Sequence, residues 1–268
     1  MDLLTLDGLA LRPEGPTLTL GVRAGEVVAI MGLARSGRSA LLRVCTGRDK
    51  PPRGHAALAA ECLLAGEGIG RRARVVSVAK ATGHPKANDT LVSLGLWNVR
   101  NDPVADLVPS HRAAIELLAP LLARASLVAI DGQLDRLDPW AHAAAWAALR
   151  TSLSRGGAAL VVTDRPETAA RCDAVVVLRD RQVRFAGTAD ALRRLGPPHE
   201  LTVTTERQIG VRALVSPFEV TVEETPEGLR MEAKDGQELA ARLLREGYGD
   251  VRFLISRAPT VEEGLQGL

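Results

Sequence analysis

Aromatic side chains are scarce. Seven of 268 residues carry one, Trp97, Trp140, Trp146, Tyr248, Phe185, Phe218 and Phe253, too few to build stacking platforms for single-stranded nucleic acid or sugars. Neither sign of charge dominates: 34 basic groups against 32 acidic ones leave a net +2, so no global field is available to hold nucleic acid or an anionic membrane. Three cysteines, Cys45, Cys62 and Cys172, are odd in number and far apart. That suits a reducing cytoplasm better than a disulfide framework, and leaves no pair at metal-ligand spacing. The five histidines form no His-x-x-x-His pair, which argues against a zinc enzyme. Asp2 and Asp7 stand near the start, with no basic segment followed by an apolar run, so no ordinary secretion signal is expected. The longest apolar stretch, residues 113–130, is broken by Glu116 and Arg124 and contains Pro120. It is not expected to span a membrane, and membrane contact is expected only through a partner.

Apolar residues make up 46% of the chain, ample for a core. The charge is unevenly distributed. Residues 1–200 carry 26 basic and 20 acidic groups, whereas residues 201–268 carry 8 and 12. This split suggests two domains, placed here at 1–198 and 199–268. In the first, residues 26–31 (Glu-Val-Val-Ala-Ile-Met), 75–78, 127–130, 159–163 and 174–178 read as short buried strands. Helices are expected from Arg38 to Cys45 and over 139–154, the latter opened by Pro139 and closed by Gly156-Gly157. Alternating strands and helices imply an α/β fold with a parallel sheet flanked by helices. After Gly196-Pro197-Pro198 the pattern changes. Strands over 201–205, 218–224, 229–234 and 251–255, with helices over 206–214 and 237–246, give the order βαββαβ of a small ferredoxin-like α+β domain.

The segment Gly32-Leu33-Ala34-Arg35-Ser36-Gly37-Arg38-Ser39 lies between a strand and a helix. Both glycines and the final hydroxyl fit the phosphate-loop pattern G-x-x-x-x-G-K-[S/T]. Such glycines let backbone N–H groups curl around a phosphate at a helix N-terminus, and Ser39 could ligate Mg²⁺. The lysine of the pattern is Arg38, a planar fork in place of a compact charge. A plain tight connection is the alternative reading of the same turn.

With its surroundings, this loop resembles the ATP-binding subunit of ABC transporters over residues 2–195. Gly25-Glu26 and the phosphate loop resemble that family's opening segment. Leu127-Val-Ala-Ile-Asp131 resembles its Walker B strand, and Leu137-Asp138-Pro139 its D-loop. Residues 160–164 resemble the strand ending in its switch histidine, and Gly187-Thr188 its closing segment. The resemblance implies a P-loop NTPase-like fold and nucleotide binding by Gly32, Ser36, Gly37, Arg38, Ser39 and Ala40. It further implies Mg²⁺ on Ser39 and Asp131, and coupling to a membrane subunit through Lys80, the position aligned with the Q-loop glutamine.

The departures are as specific as the matches. The residue after Asp131, a water-polarising Glu in the family, is Gly132. The switch histidine is Asp164. The signature segment aligns with Leu107-Val108-Pro109-Ser110-His111, without its glycines. Pro120 is expected to kink the helix that follows. No aromatic residue lies over 9–17 to stack on adenine. The stretch from Lys80 to Leu107 has room for about one helix, near 90–99, so a reduced helical subdomain is expected.

The ending Pro259-Thr-Val-Glu-Glu-Gly-Leu-Gln-Gly-Leu268 resembles the tail of exporter-type subunits with an accessory domain; a plain amphipathic terminal helix is the other reading. Arg71, Arg72 and Arg74 read as a solvated loop. His111 and His142 read as surface or helix-packing residues. Asp131, Asp135 and Asp138 could gather a divalent ion, or Asp138 could cap the helix at Pro139.

Three functional readings follow. One is a degenerate subunit with weak or no ATP hydrolysis, a structural or regulatory partner of an exporter. Its partners would be an integral membrane permease and an intact ATPase subunit, with no nucleic acid and no direct membrane insertion. The second is an active ATPase energising an ABC-2 type exporter, with Asp135 or Asp164 as base. The third is a nucleotide-free scaffold.

Overall fold

The computed structural model describes residues 2–59, 61–123, 125–247 and 249–268. Arg124, within the apolar 113–130 stretch, and Tyr248 thus lie outside the described residues. The chain divides into two compact units, Met1–Ala189 and Asp190–Leu268.

The first unit opens with strands β1 (Asp2–Ala10) and β2 (Leu18–Arg23), an antiparallel pair. Strand β3 (Val27–Gly32) follows, then helix α1 (Arg38–Cys45), and β4 (Arg53–Leu58) returns to pair with β1. A short strand β5 (Cys62–Leu64) leads into four helices, α2 (Val75–Ala81), α3 (Ala87–Ser93), α4 (Pro109–Glu116) and α5 (Leu118–Leu122). The remainder is β6 (Leu127–Asp131), α6 (Pro139–Leu153), β7 (Ala158–Thr163), α7 (Pro166–Ala169), β8 (Ala174–Arg179) and β9 (Gln182–Gly187).

These strands form a three-stranded antiparallel sheet, β2-β1-β4, and a six-stranded sheet, β5-β6-β7-β3-β8-β9. All neighbours in the second are parallel except β8 with β9. Strand β3 reads Val-Val-Ala-Ile-Met because it is central and buried on both faces. The alternate residues Leu4 and Leu6 of β1 join Leu18 and Val22 of β2 in one core with Val28, Ile30, Leu41, Leu160 and Val176. The core therefore lies between the two sheets and α1.

The strand expected over 75–78 is instead the first turn of α2. A four-residue apolar run suits a buried strand or a helix equally. Here only Val75 and Ala79, four apart, are buried, so the run is one face of a helix. Likewise, the single helix expected near 90–99 is α3, which ends at Ser93, and α2 precedes it. The apolar 113–130 stretch is split among α4, α5 and β6. No helix among the described residues is long and apolar enough to cross a membrane.

Helix α8 (Ala189–Arg193) begins at the division between the units. The second unit contains β10 (His199–Thr204), α9 (Gln208–Val215), β11 (Val220–Thr225), β12 (Gly228–Ala233), α10 (Gly236–Glu246), β13 (Phe253–Arg257) and α11 (Val261–Gln266). Its antiparallel sheet has the order β11-β12-β10-β13. Leu201, Val203, Leu229 and Met231 point to the covered face, where Val211 and Val215 of α9 and Leu239 and Leu243 of α10 meet them. The division precedes residue 198 because α8 and its following turn are fastened to α11. A Cβ on Gly264 would stand 2.1 Å from the Leu192 carbonyl oxygen, and one on Gly267 2.2 Å from that of Leu195. Glycine at both positions allows this backbone approach. Helix α11 starts with a capping box between Thr260 and Glu263.

All three cysteines are unpaired. Burial pushes the Cys45 and Cys172 thiols up to about 12 and that of Cys62 up to about 11. Because the thiolate is the nucleophile, the native protein at pH 8 is expected to resist a thiol-specific reagent, and all three groups are expected to react in urea. A native thiol that titrates in seconds would contradict this.

Candidate functional site

Strand β3 delivers Gly32 to the carboxyl edge of the six-stranded sheet, and α1 begins at Arg38. The intervening loop has positive φ at Gly32 (150°), Arg35 (64°) and Gly37 (101°). A Cβ at position 32 would lie 2.3 Å from the Leu178 carbonyl oxygen and 2.4 Å from Ser36 Oγ, so the position requires glycine. Arg35 holds a left-handed conformation without being glycine, a strain of about 1 kcal/mol or more. Alternation of this kind turns successive N–H groups inward and makes an anion-binding concavity. No side chain caps the N-terminus of α1, which leaves its first N–H groups facing the same loop. The loop is fixed from behind by the Arg181 N–H, which donates to the Ser36 carbonyl at 2.9 Å.

Ser36 Oγ is buried and has no hydrogen-bond partner among the described residues. An orphaned hydroxyl inside a loop of this shape fits a phosphate group as the missing partner. The residues for a cation are also in place. Ser39 Oγ donates to Asp131 Oδ1 at 3.3 Å, and these two oxygens suit a hard ion such as Mg²⁺. Among the described residues no group of three or more His, Cys, Asp or Glu could hold a metal by itself. Mg²⁺ at Ser39 and Asp131 would therefore complete its shell with phosphate oxygens and water.

The other positions around the loop have different chemistry. Arg38 Nη1 lies 3.7 Å from Asp164 Oδ2, with the Arg38 side chain 18% exposed and that of Asp164 64%. Gly132, directly after Asp131, has φ 80°. The Asp135 carboxylate is engaged by three neighbouring residues. It accepts from the Thr163 hydroxyl at 2.9 and 2.8 Å, from the Thr168 hydroxyl at 2.9 Å and from the Asp164 N–H at 3.3 Å. Both threonines are buried, so Asp135 ties the end of β7 to α7. Asp138 caps α6, accepting from the N–H groups of Trp140 and Ala141 at 3.0 and 2.9 Å. His142 accepts from Trp146 Nε1 at 3.1 Å one turn along α6, and burial lowers its pKa.

Lys80 is placed differently from the expectation. It lies exposed on α2, not at the end of a core strand. The strand paired with β6 is β5, with Leu64 opposite Ala129. Carried two residues further, that register puts Gly66 level with Asp131. Glu67 follows and pairs with Arg48.

Sequence reasoning missed a connection at this level. Pro120 has no N–H to give the Glu116 carbonyl, and the helix breaks at Leu117 between α4 and α5. The freed carbonyl accepts from the Gly66 N–H at 3.0 Å. The Glu116 carboxylate accepts from Gln133 Nε2 at 3.1 Å, and Gln133 Oε1 accepts from the Asp131 N–H at 2.7 Å. Gln133 is buried. The detectable signal was Pro120 four residues after Glu116. The segment 107–111 spans the start of α4, with Pro109 in its first turn and Val108 exposed before it. Near the start of α1, Gly37 is flanked by Leu11 and Arg181, whose side-chain carbons would lie 3.2 and 3.3 Å from a Cβ there.

No protein-family model matches the chain. It is 30% identical over 215 residues to the arabinose import ATP-binding protein AraG 2 of Burkholderia ambifaria, covering 66% of this chain and 41% of that protein. It is 24% identical over 218 residues to the ATP-binding cassette sub-family A member 7 of Mus musculus, covering 71% of this chain and 10% of that one. The matched part is thus less than half the length of these curated relatives. Among solved structures, an ATP-binding subunit of an ABC transporter superposes with a TM-score of 0.61 at 22% identity, over 72% of this chain and 92% of that subunit. The chain is similar in sequence to ABC ATP-binding proteins, and it has the α/β fold of an ABC ATPase.

Proposed function

We propose that this chain is a degenerate ATP-binding subunit of an ABC transporter, with little or no hydrolysis, acting as a structural or regulatory partner of a membrane exporter. The observation that carries the reading is the lack of a free carboxylate after Asp131. Gly132 has no side chain, Asp135 is consumed by two buried threonines, and Asp164 faces Arg38. General-base activation of water needs an acceptor within hydrogen-bond reach. When bound, ATP would supply phosphate oxygens to the loop and to Mg²⁺. The chain contributes Gly32, Ser36, Gly37, Arg38 and Ala40 around the phosphates, and Ser39 with Asp131 at the cation. An integral membrane permease and an intact ATPase subunit are the partners this reading requires. The chain itself would sit at the cytoplasmic face without entering the bilayer, and bind no nucleic acid. Export rather than import is supported by the tail at 259–268 and by the βαββαβ unit.

The test is an ATPase assay on the purified protein with and without Asp131→Asn. Turnover is expected at background, unchanged by the substitution, while Mg²⁺–ATP at millimolar concentration raises the melting temperature. Mg²⁺-dependent turnover abolished by Asp131→Asn would establish an active ATPase instead. Absence of any thermal response would favour the nucleotide-free scaffold.

A further inference from the structure

We infer that the phosphate loop takes a nucleoside diphosphate in preference to a triphosphate, because the Asp164 carboxylate lies against Arg38, the cation of the loop. The inference rests on the nucleotide-binding reading above and concerns which nucleotide the site selects.

The cation at the end of a phosphate loop reaches the β- and γ-phosphates. In this chain that cation is Arg38, and Asp164 Oδ2 lies 3.7 Å from its Nη1. A guanidinium has five donors in a planar fork. One edge can stay with Asp164 while another serves a β-phosphate. A lysine ammonium has no comparable second edge, so the arginine and the aspartate complement each other as a pair.

Asp164 is held in this position. It follows the last residue of β7, the strand between β6 and β3, and so stands between Asp131 and the loop. Its N–H donates to Asp135, which also binds the buried Thr163 hydroxyl next to it. The backbone that carries the carboxylate is therefore tied on both sides. Arg136, the next basic residue after Asp131 along the chain, gives its donors to the carbonyls of Asp131 and Gly132 at 3.4 and 3.2 Å.

The inner half of the site is intact. Gly32 and Gly37 shape the concavity, the Ser36 hydroxyl lacks a partner among the described residues, and Ser39 and Asp131 are in contact. These groups would face two phosphates and a cation. A third phosphate adds negative charge beside Asp164, while the arginine that would offset it is already paired. Like-charge repulsion across a few ångströms, reduced by solvent at the exposed Asp164, is on the order of tenfold in affinity.

Calorimetric titrations of Mg²⁺–ADP and Mg²⁺–ATP into the full chain and into Asp164→Asn test this. The wild type is expected to bind ADP about tenfold more tightly than ATP. In Asp164→Asn, ATP affinity is expected to rise until the two are equal, with ADP affinity changing less than about threefold. The Asp164 side chain is mostly exposed, so its amide analogue is expected to fold, and a thermal melt checks this. Equal affinities in the wild type, or a preference that survives in the variant, would overturn the inference and leave nucleotide binding standing. Absence of heat and of thermal shift with either nucleotide would overturn the reading beneath it.

Discussion

Asp135→Ala is expected to destabilise the α/β unit by about 2–4 kcal/mol. The carboxylate accepts two hydroxyls and one N–H, and the hydroxyls belong to Thr163 and Thr168, which are buried. Removing it strands the Thr168 hydroxyl where water does not reach and leaves the Thr163 hydroxyl only the distant Arg165 carbonyl at 3.4 Å, and a stranded buried group costs about 1–3 kcal/mol. The measurement is the urea midpoint at unchanged m-value. Asp135→Asn, which keeps an acceptor oxygen, is expected to lose about half as much. A loss under about 0.5 kcal/mol for Asp135→Ala would mean that the threonines find other partners.

Gly32→Ala is expected to weaken nucleotide binding by at least about a hundredfold. The added Cβ would meet the Leu178 carbonyl at 2.3 Å and Ser36 Oγ at 2.4 Å, in a backbone conformation that alanine resists. The loop must open to admit it, which moves the N–H groups that face the phosphate. Gly47→Ala separates strain from collision. Gly47 also has a left-handed φ, 71°, but no atom within 4 Å of the added carbon. It is expected to cost about 1 kcal/mol and to spare binding. Calorimetry with Mg²⁺–ADP, paired with thermal melts, distinguishes the two. Comparable binding in Gly32→Ala and the wild type would remove the loop from the site.

The legible parts of the sequence were those governed by local rules. The helix at Arg38–Cys45 follows from a buried strand, a glycine turn and a stop at Gly47. The cap on α6 follows from Asp138 preceding Pro139. The βαββαβ order follows from alternation around the turn at Pro226. By contrast, Val75–Val78 satisfies both periodicities, and only burial decides between them. The actual neighbour of β6 is three residues long, bounded by charge and glycine, and too brief to show a period. That one ambiguity placed Lys80 at the end of an expected strand, whereas the strand beside β6 ends at Leu64, just before Gly66 and Glu67. Strands β1, β2 and β4 passed unread because their pairing is long-range and their pattern is broken by register shifts.

At the site, the motif residues could be located by spacing, but their pairings could not. Arg38 and Asp164 each look like a loss when taken alone. Only the sheet order, which brings the ends of β3 and β7 together, shows that the two departures meet. The engagement of Asp135 is likewise invisible along the chain near it. Its partners, Thr163 and Thr168, come from the next strand and helix.

The glycine contacts between α11 and the turn after α8 bear on synthesis. A ribosome releases α8 and β10 long before α11. Strand β10, central in its sheet, waits for β12 on one side and β13 on the other. Until Gly264 and Gly267 emerge, the Leu192 and Leu195 carbonyls have no helix against them. The second unit is thus closed from its far end, and a nascent chain stalled before residue 261 would carry an unfinished domain behind a first unit whose strands had all been made.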